Sequence, residues 1–258
     1  EFIKMCIGII EIFLGCYIMF KNKKFFVMVL LFILFSFTAC SDEKDVGDIF
    51  EKIKEANNTI QSYILVNEIN SENRGTVMIQ TMKAELINDK STKEITKGKA
   101  SIRYSGNSNY EQNNYDAKFV GDENKTMIIT KKVNGEENRK EENNVNYNIY
   151  PNYFKLLDGI YSIEEKDLKL EEMDTEYHLK LKNGNKSLKV FNLLKSEYKL
   201  ALHNVSEKEV DMTFEAVFDK NTFYLKNIIW KIEYSGYKGQ FKTKNTTTYS
   251  DWNKVNLN

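Results

Sequence analysis

Five side chains in this sequence are of the types that most often carry chemistry at neutral pH: Cys6, Cys16, Cys40, His178 and His203. All three thiols fall at or before position 40. The chain beyond Cys40 therefore has no internal disulfide, no thiolate metal site and no cysteine nucleophile. His178 alternates with Tyr177 and Leu179, which predicts a place on the solvent side of a strand. His203 falls at the end of a predicted helix, where the dipole favours a partly positive imidazole. Neither histidine has a partner at metal-ligand spacing. H-E-x-x-H, G-x-S-x-G, a glycine-rich phosphate loop and EF-hand spacing are all missing from the sequence. Ser105-Gly106-Asn107-Ser108 has the composition of a turn rather than a nucleophile elbow. Glu164-Glu165 and Glu171-Glu172 read as solvated surface. The expectation is a non-enzymatic protein with no catalytic residue, no metal and no cofactor.

The remaining chemistry is at Cys40. From Met19, Phe-Lys-Asn-Lys-Lys24 is basic, Phe25 to Phe37 is apolar except for Ser36, and Thr38-Ala39 is small. These are the three parts of a secretory signal. Lys21, Lys23 and Lys24 stay on the cytoplasmic side. The apolar run, about 13 residues, spans roughly 20 Å as helix, short of the ~30 Å hydrocarbon core. Phe37-Thr38-Ala39-Cys40 resembles the lipobox of bacterial lipoproteins, with Phe37 where Leu, Val or Ile is usual. The resemblance implies that diacylglycerol alkylates the Cys40 thiol and that cleavage falls between Ala39 and Cys40. Two acyl chains, at ~0.8 kcal/mol per buried methylene, then hold the protein on the extracytoplasmic face of the cell membrane. On this reading residues 1–39 are signal peptide, with 1–18 upstream of a start at Met19, and residues 40–45 are a lipidated tether. Two alternatives stay open. One is an uncleaved membrane anchor with Cys40 incidental. The other is a further membrane helix over 2–20, against which Glu11 in mid-run counts as costly in lipid.

Charge narrows the partners. The 37 basic and 37 acidic residues cancel over the whole chain. Four of the former and two of the latter precede Cys40, leaving 33 against 35 in the body. Mixed signs and a weak net charge supply no field suited to nucleic acid. Tyr110, Tyr115, Tyr147, Tyr150 and Tyr153 fall in predicted loops or strand edges. They permit an aromatic carbohydrate platform, or more simply form the rims of amphipathic strands. Trp230 reads as core, and Trp252, beside a polar terminus, reads either way.

The elements that position these residues follow from periodicity. Val46, Ile49, Phe50, Ile53, Ala56 and Ile60 keep helical spacing with charges opposite. Strands are predicted at 63–69, 76–87, 100–105, 115–120 and 125–133, with Asn134-Gly135 as a turn and Glu136 to Asn146 as a solvated loop. Pro151 is placed to open a short helix that Gly159 stops. A half-buried strand through Tyr177, Leu179 and Leu181 precedes a helix over 186–202. That helix has a stripe of Leu188, Phe191, Leu194, Tyr198 and Ala201, and Asn185 as its cap. Val210 to Phe218 has a period of two, Asp219-Lys220-Asn221-Thr222 turns the chain, and strands over 223–234 and 240–249 finish it. The expected class is α+β: a long antiparallel sheet with one face exposed and two or three helices on the other, in a single domain over 46–258.

The order of parts resembles the LolA/LppX-like envelope lipoproteins, including Gram-positive members with no assigned function. The resemblance is carried by Ile60-Gln61-Ser62-Tyr63 at the helix-to-strand junction, by Phe218-Asp219-Lys220-Asn221-Thr222 and by Thr248-Tyr249-Ser250-Asp251-Trp252-Asn253. It implies a curved half-barrel sheet and an apolar cavity between sheet and helices for acyl chains. The function it implies is non-enzymatic binding of a lipid or hydrophobic ligand. The alternative is a structural or protein-interaction lipoprotein with no ligand cavity.

Overall fold

The structure, a computed structural model, describes residues 46–107, 109–121, 126–132, 134–142, 149–184, 186–202, 204–236 and 239–257. Residues 45–258 form one compact unit. Helix α1 spans Val46–Asn58 and buries Ile49, Ile53 and Asn57. Six strands follow: β1 (Ser62–Asn73), β2 (Thr76–Asn88), β3 (Ile95–Gly106), β4 (Tyr115–Gly121), β5 (Thr126–Lys132) and β6 (Glu137–Glu142). Helix α2 (Tyr153–Tyr161) leads to β7 (Leu168–Glu172) and β8 (Glu176–Leu181). Helix α3 (Leu188–Glu197) leads to β9 (Asp211–Asp219), β10 (Leu225–Gly236) and β11 (Gly239–Ser250).

The strands make one open, curved sheet of eleven, ordered β6-β5-β4-β3-β2-β1-β11-β10-β9-β8-β7. Two meanders run outward from the centre and meet where β1 pairs with β11, Leu65 opposite Tyr249 and Asn67 opposite Thr247. Every pairing is antiparallel. The period of two sorts side chains between faces. In β1, Tyr63, Leu65, Asn67 and Ile69 are buried while Ile64, Val66 and Glu68 are more exposed. The buried set faces the helices. Tyr153 of α2 stacks on Tyr63, and Tyr198, just past α3, meets Trp230 of β10 edge-on. This is the α+β architecture expected, with three helices on one face.

Two tight turns are built alike. Asp89-Lys90-Ser91-Thr92 joins β2 to β3, and Asp219-Lys220-Asn221-Thr222 joins β9 to β10. In each, Asp Oδ1 accepts hydrogen bonds from the backbone N–H groups two and three residues on. The next residue, Lys93 or Phe223, has positive φ and donates its N–H back to the Asp carbonyl. These bonds hold the Asp89 carboxyl below the usual carboxylate range, led by the Thr92 N–H.

The structure departs from expectation at five places. Glu137–Glu142, expected as loop, pairs with β5 as strand β6. Its charges mark an edge strand, whose outer side must resist further pairing. Leu168–Glu172 is a strand rather than plain surface, with Leu168 and Leu170 opposite Leu181 and Leu179. Asn152, not Pro151, opens α2: its side chain accepts from the Lys155 N–H. Gly159 does not stop α2 but lies within it, where a Cβ would come 2.2 Å from Leu193 Cδ1 on α3. Finally, α3 is shorter than 186–202. It buries Val190, Phe191, Leu193 and Leu194, while Leu188 is 53% exposed and Ala201 is exposed. Asn185, expected to cap α3, lies outside the described residues.

Candidate binding site

The helix side of the sheet, where an acyl-chain cavity was expected, is occupied by the protein's own rings. Tyr63, Tyr153 and Tyr249 pack with ring centroids 5.0, 4.9 and 5.8 Å apart. The Tyr153 hydroxyl donates to Asn57 Oδ1, and Asn57 Nδ2 donates to the carbonyls of Ile53 (2.6 Å) and Phe223 (2.9 Å). That one amide ties α1 to α2 and to the β9–β10 turn. Burial raises the phenols of Tyr63, Tyr153, Tyr198 and Tyr249 well above their ordinary value, since a tyrosinate there has no water to solvate it.

Beside the rings runs a buried polar seam. Thr247 Oγ1 meets Asn67 Oδ1 and Asn245 Oδ1 at 2.9 Å and Tyr198 Oη at 3.1 Å. Asn67 Nδ2 donates to the Tyr150 carbonyl at 3.1 Å. Asn245 Nδ2 donates to Asn67 Oδ1 and to the Glu68 carbonyl. Each amide thus spends its capacity inside the protein, as buried polar groups must. A polar centre in β1 and β11 was not foreseen. Its signal was present in the sequence: the inward positions of β11 read Thr243, Asn245, Thr247 and Tyr249, where an apolar face was due.

The opposite face is open and divides into two halves. Over β7–β10 its charges neutralise one another. His178 has Nδ1 2.6 Å from Glu215 and Nε2 3.2 Å from Glu176. Lys180 reaches Glu171 at 2.7 Å, and Lys226 reaches Glu176 at 2.5 Å. Hydrogen bonds from those lysines hold the Glu171 and Glu176 carboxyls below the usual range. His178 therefore stands on the solvent face, as expected, with both ring nitrogens within hydrogen-bond distance of carboxylates.

Over β1–β6 the same face forms a trough of about 930 Å³. The row Ile64, Glu85, Lys99, Lys118, Ile129 crosses five neighbouring strands. The next row runs Val66, Lys83, Ser101, Asp116, Lys131. Apolar side chains thus flank the trough and lysines occupy its middle, while Asn256 and Leu257 of the C-terminal tail complete the lining. The tail is fixed there by the Val255 N–H on Ser62 Oγ and by Asn253 Oδ1, which accepts from the Gln61 N–H. Gly98 lies behind the trough, where a Cβ would come 2.8 Å from both the Glu85 carbonyl and Leu86 Cδ2 and 3.3 Å from the buried Phe119.

The residues singled out in the sequence are not gathered by the fold. Cys40, Ala39, His203 and Tyr147 lie outside the described residues. Tyr153 is wholly buried, whereas Tyr110, Tyr115 and Tyr150 are half-buried, so these three and Tyr153 form no common platform. Trp230 is core, and Trp252 is half-buried against Tyr224. Among the described residues no group of three or more His, Cys, Asp or Glu side chains is placed to hold a metal ion. No described helix is long and apolar enough to cross a membrane.

No protein-family model matches the chain, and no curated protein matches it. Among solved structures it is similar to LprF from Mycobacterium bovis, at 12% identity and TM-score 0.43, over 81% of this chain and 93% of that one. It is also similar to a DUF1329 family protein from Desulfovibrio piger ATCC 29098, at 10% identity and TM-score 0.29, over 83% of this chain and 95% of that one. Likenesses this distant carry no functional conclusion.

Proposed function

We propose that the protein is an extracytoplasmic lipoprotein, anchored to the cell membrane through diacylated Cys40, that binds a lipid or other hydrophobic ligand without transforming it. The observation that carries the binding reading is the trough of about 930 Å³ on the open face, flanked by Ile64, Val66, Val120, Ile129 and Leu257. That volume is in the range of small-molecule sites. The site proposed thus lies across the sheet from the cavity that the resemblance implied. A second reading, an interaction lipoprotein with no ligand, is favoured by the closely packed helix side.

Anchoring and binding are tested separately. Metabolic labelling with palmitate is expected to mark the wild-type chain and to leave Cys40→Ser unmarked and unprocessed. An unlabelled wild type removes the lipoprotein reading. Native mass spectrometry of residues 41–258, which include the compact unit, is expected to reveal bound acyl species. Ile129→Asn, at the trough wall, should lose them. A clean apo mass together with no displacement of a fluorescent fatty-acid probe favours the interaction reading instead.

A further inference from the structure

The trough has an uncompensated charge. Three carboxylates line it, and each is already held: Glu85 by Lys99 at 3.0 Å, Asp116 by Arg103 at 2.7 Å and Glu137 by Arg139 at 2.8 Å. Four further lysines, Lys83, Lys97, Lys118 and Lys131, line the same trough and have no carboxylate partner among the described residues. They rise from β2, β3, β4 and β5, one per strand. Lys118 stands directly opposite Lys99 in the register. Like charges directly opposite across an antiparallel pair destabilise a sheet. On the other half of the same face lysines alternate with glutamates and pair with them. The chain as a whole carries no net charge. A local excess of this kind, maintained against repulsion and ringed by apolar side chains, is complementary to an anion with a hydrophobic body.

We infer that the trough recognises an anionic amphiphile: one phospholipid molecule whose headgroup carries net negative charge, its phosphate at Lys118 in the field of Lys83 and Lys131 to either side and its acyl chain along Ile129 or Ile64. This deepens the binding reading above and rests on it. Phosphate oxygens accept several ammonium donors at once, and lysine serves such a group as a point charge without demanding a fixed fork. The apolar flanks explain why free phosphate is a poor substitute. Each methylene buried adds affinity that an inorganic ion lacks.

The test uses dihexanoyl phosphatidylglycerol as monomers, with the matching phosphatidylcholine and inorganic phosphate as controls, titrated into residues 41–258. Phosphatidylglycerol is expected to bind on the order of a hundredfold more tightly than phosphatidylcholine. Each lysine at a lipid phosphate is worth about 1 kcal/mol, or about fivefold, so Lys118→Ser should cost roughly that factor. Lys83→Ser/Lys118→Ser/Lys131→Ser should abolish the preference, bringing phosphatidylglycerol down to about the phosphatidylcholine affinity, and Lys→Arg at the three sites should restore it. Added salt should weaken only the anionic lipid. Equal affinity for the two lipids, with the variants silent, overturns the headgroup assignment and leaves lipid binding standing. Inorganic phosphate binding as tightly as the lipid overturns the amphiphile. Binding of neither lipid overturns this inference together with the reading beneath it.

Discussion

Gly159→Ala tests the packing of α2 on α3 because two physical effects oppose each other at that position. In a free helix alanine is better than glycine by about 1 kcal/mol, since glycine surrenders more backbone entropy. Here an added Cβ would meet Leu193 Cδ1 at 2.2 Å and Leu193 Cγ at 3.2 Å. Carbon atoms rest about 3.5–4.0 Å apart, so the leucine tip must move by more than an ångström. It has little room, because Leu193 is 6% exposed and is flanked on α3 by the buried Val190 and Leu194. Overpacking of this sort costs about 1–3 kcal/mol. The helix gain offsets part of that, leaving a net loss of up to about 2 kcal/mol, or a fall in Tm of up to about 8 °C for a unit of this size. Leu193→Ala alone should cost about 2–4 kcal/mol through its cavity. In that background the obstruction is gone, and Gly159→Ala should then stabilise by about 1 kcal/mol. The same substitution changes sign with its neighbour, a coupling of about 1–3 kcal/mol. Urea unfolding of the four proteins, followed by circular dichroism, measures the cycle. A Gly159→Ala that stabilises the otherwise wild-type chain, or acts equally in both backgrounds, refutes the contact.

Further outcomes follow from single side chains on both faces of the sheet. Tyr249 has a buried hydroxyl with no hydrogen-bond partner, so Tyr249→Phe should be neutral or stabilising by up to about 1 kcal/mol. Tyr198→Phe, which deprives Thr247 of its 3.1 Å partner, should cost about 1 kcal/mol, and denaturant midpoints compare the two. Glu171 and Glu176 have folded pKa values below their unfolded ones. Their contribution is therefore present above about pH 4.3 and is lost as pH falls through the folded values. Replacing Lys180 and Lys226 by Met should flatten the loss of stability between neutral pH and pH 3. The phenols of Tyr63, Tyr153, Tyr198 and Tyr249 have raised pKa values. Stability should fall as pH rises above about 10, and the part of the tyrosinate absorbance that belongs to these four phenols should appear with unfolding rather than before it.

What the sequence disclosed depended on whether a signal was local. Alternation in Val210 to Phe218 and in Tyr177 to Leu181 placed two strands and their faces, because a half-buried strand displays its period in its own residues. The Asp219 turn was legible for the same reason. Its twin at Asp89 was written in the same letters, Asp-Lys-x-Thr, but had no clear apolar alternation on its far side to flag it. The extent of β6 was hidden because an edge strand carries charge where a loop would. Gly159 misled because its purpose is a contact with a residue 34 positions away, and no window along the chain contains both. The trough was hidden for the same reason. Lys83, Lys97, Lys118 and Lys131 are unremarkable one by one, and only the register of four strands sets them side by side.

The two faces of the sheet are not equal candidates for a hydrophobic guest, and the difference can be weighed. Admitting an acyl chain on the helix side requires Tyr63, Tyr153 and Tyr249 to part. Each such ring buries about 150–250 Å², worth about 4–6 kcal/mol at 25 cal/mol/Å². Displacing the cluster therefore costs more than about 10 kcal/mol before the Tyr153–Asn57 hydrogen bond is counted. A dozen methylenes at about 0.8 kcal/mol each repay roughly that sum and no more. On the open face nothing has to be displaced. Ile64 and Ile129 are already half-exposed to water, so covering them is a gain from the first contact. The lysines between them gain a counter-charge in the same event. A ligand that is both apolar and anionic thus meets a favourable term on the open side at every stage of entry, and on the helix side a barrier that its own burial barely offsets.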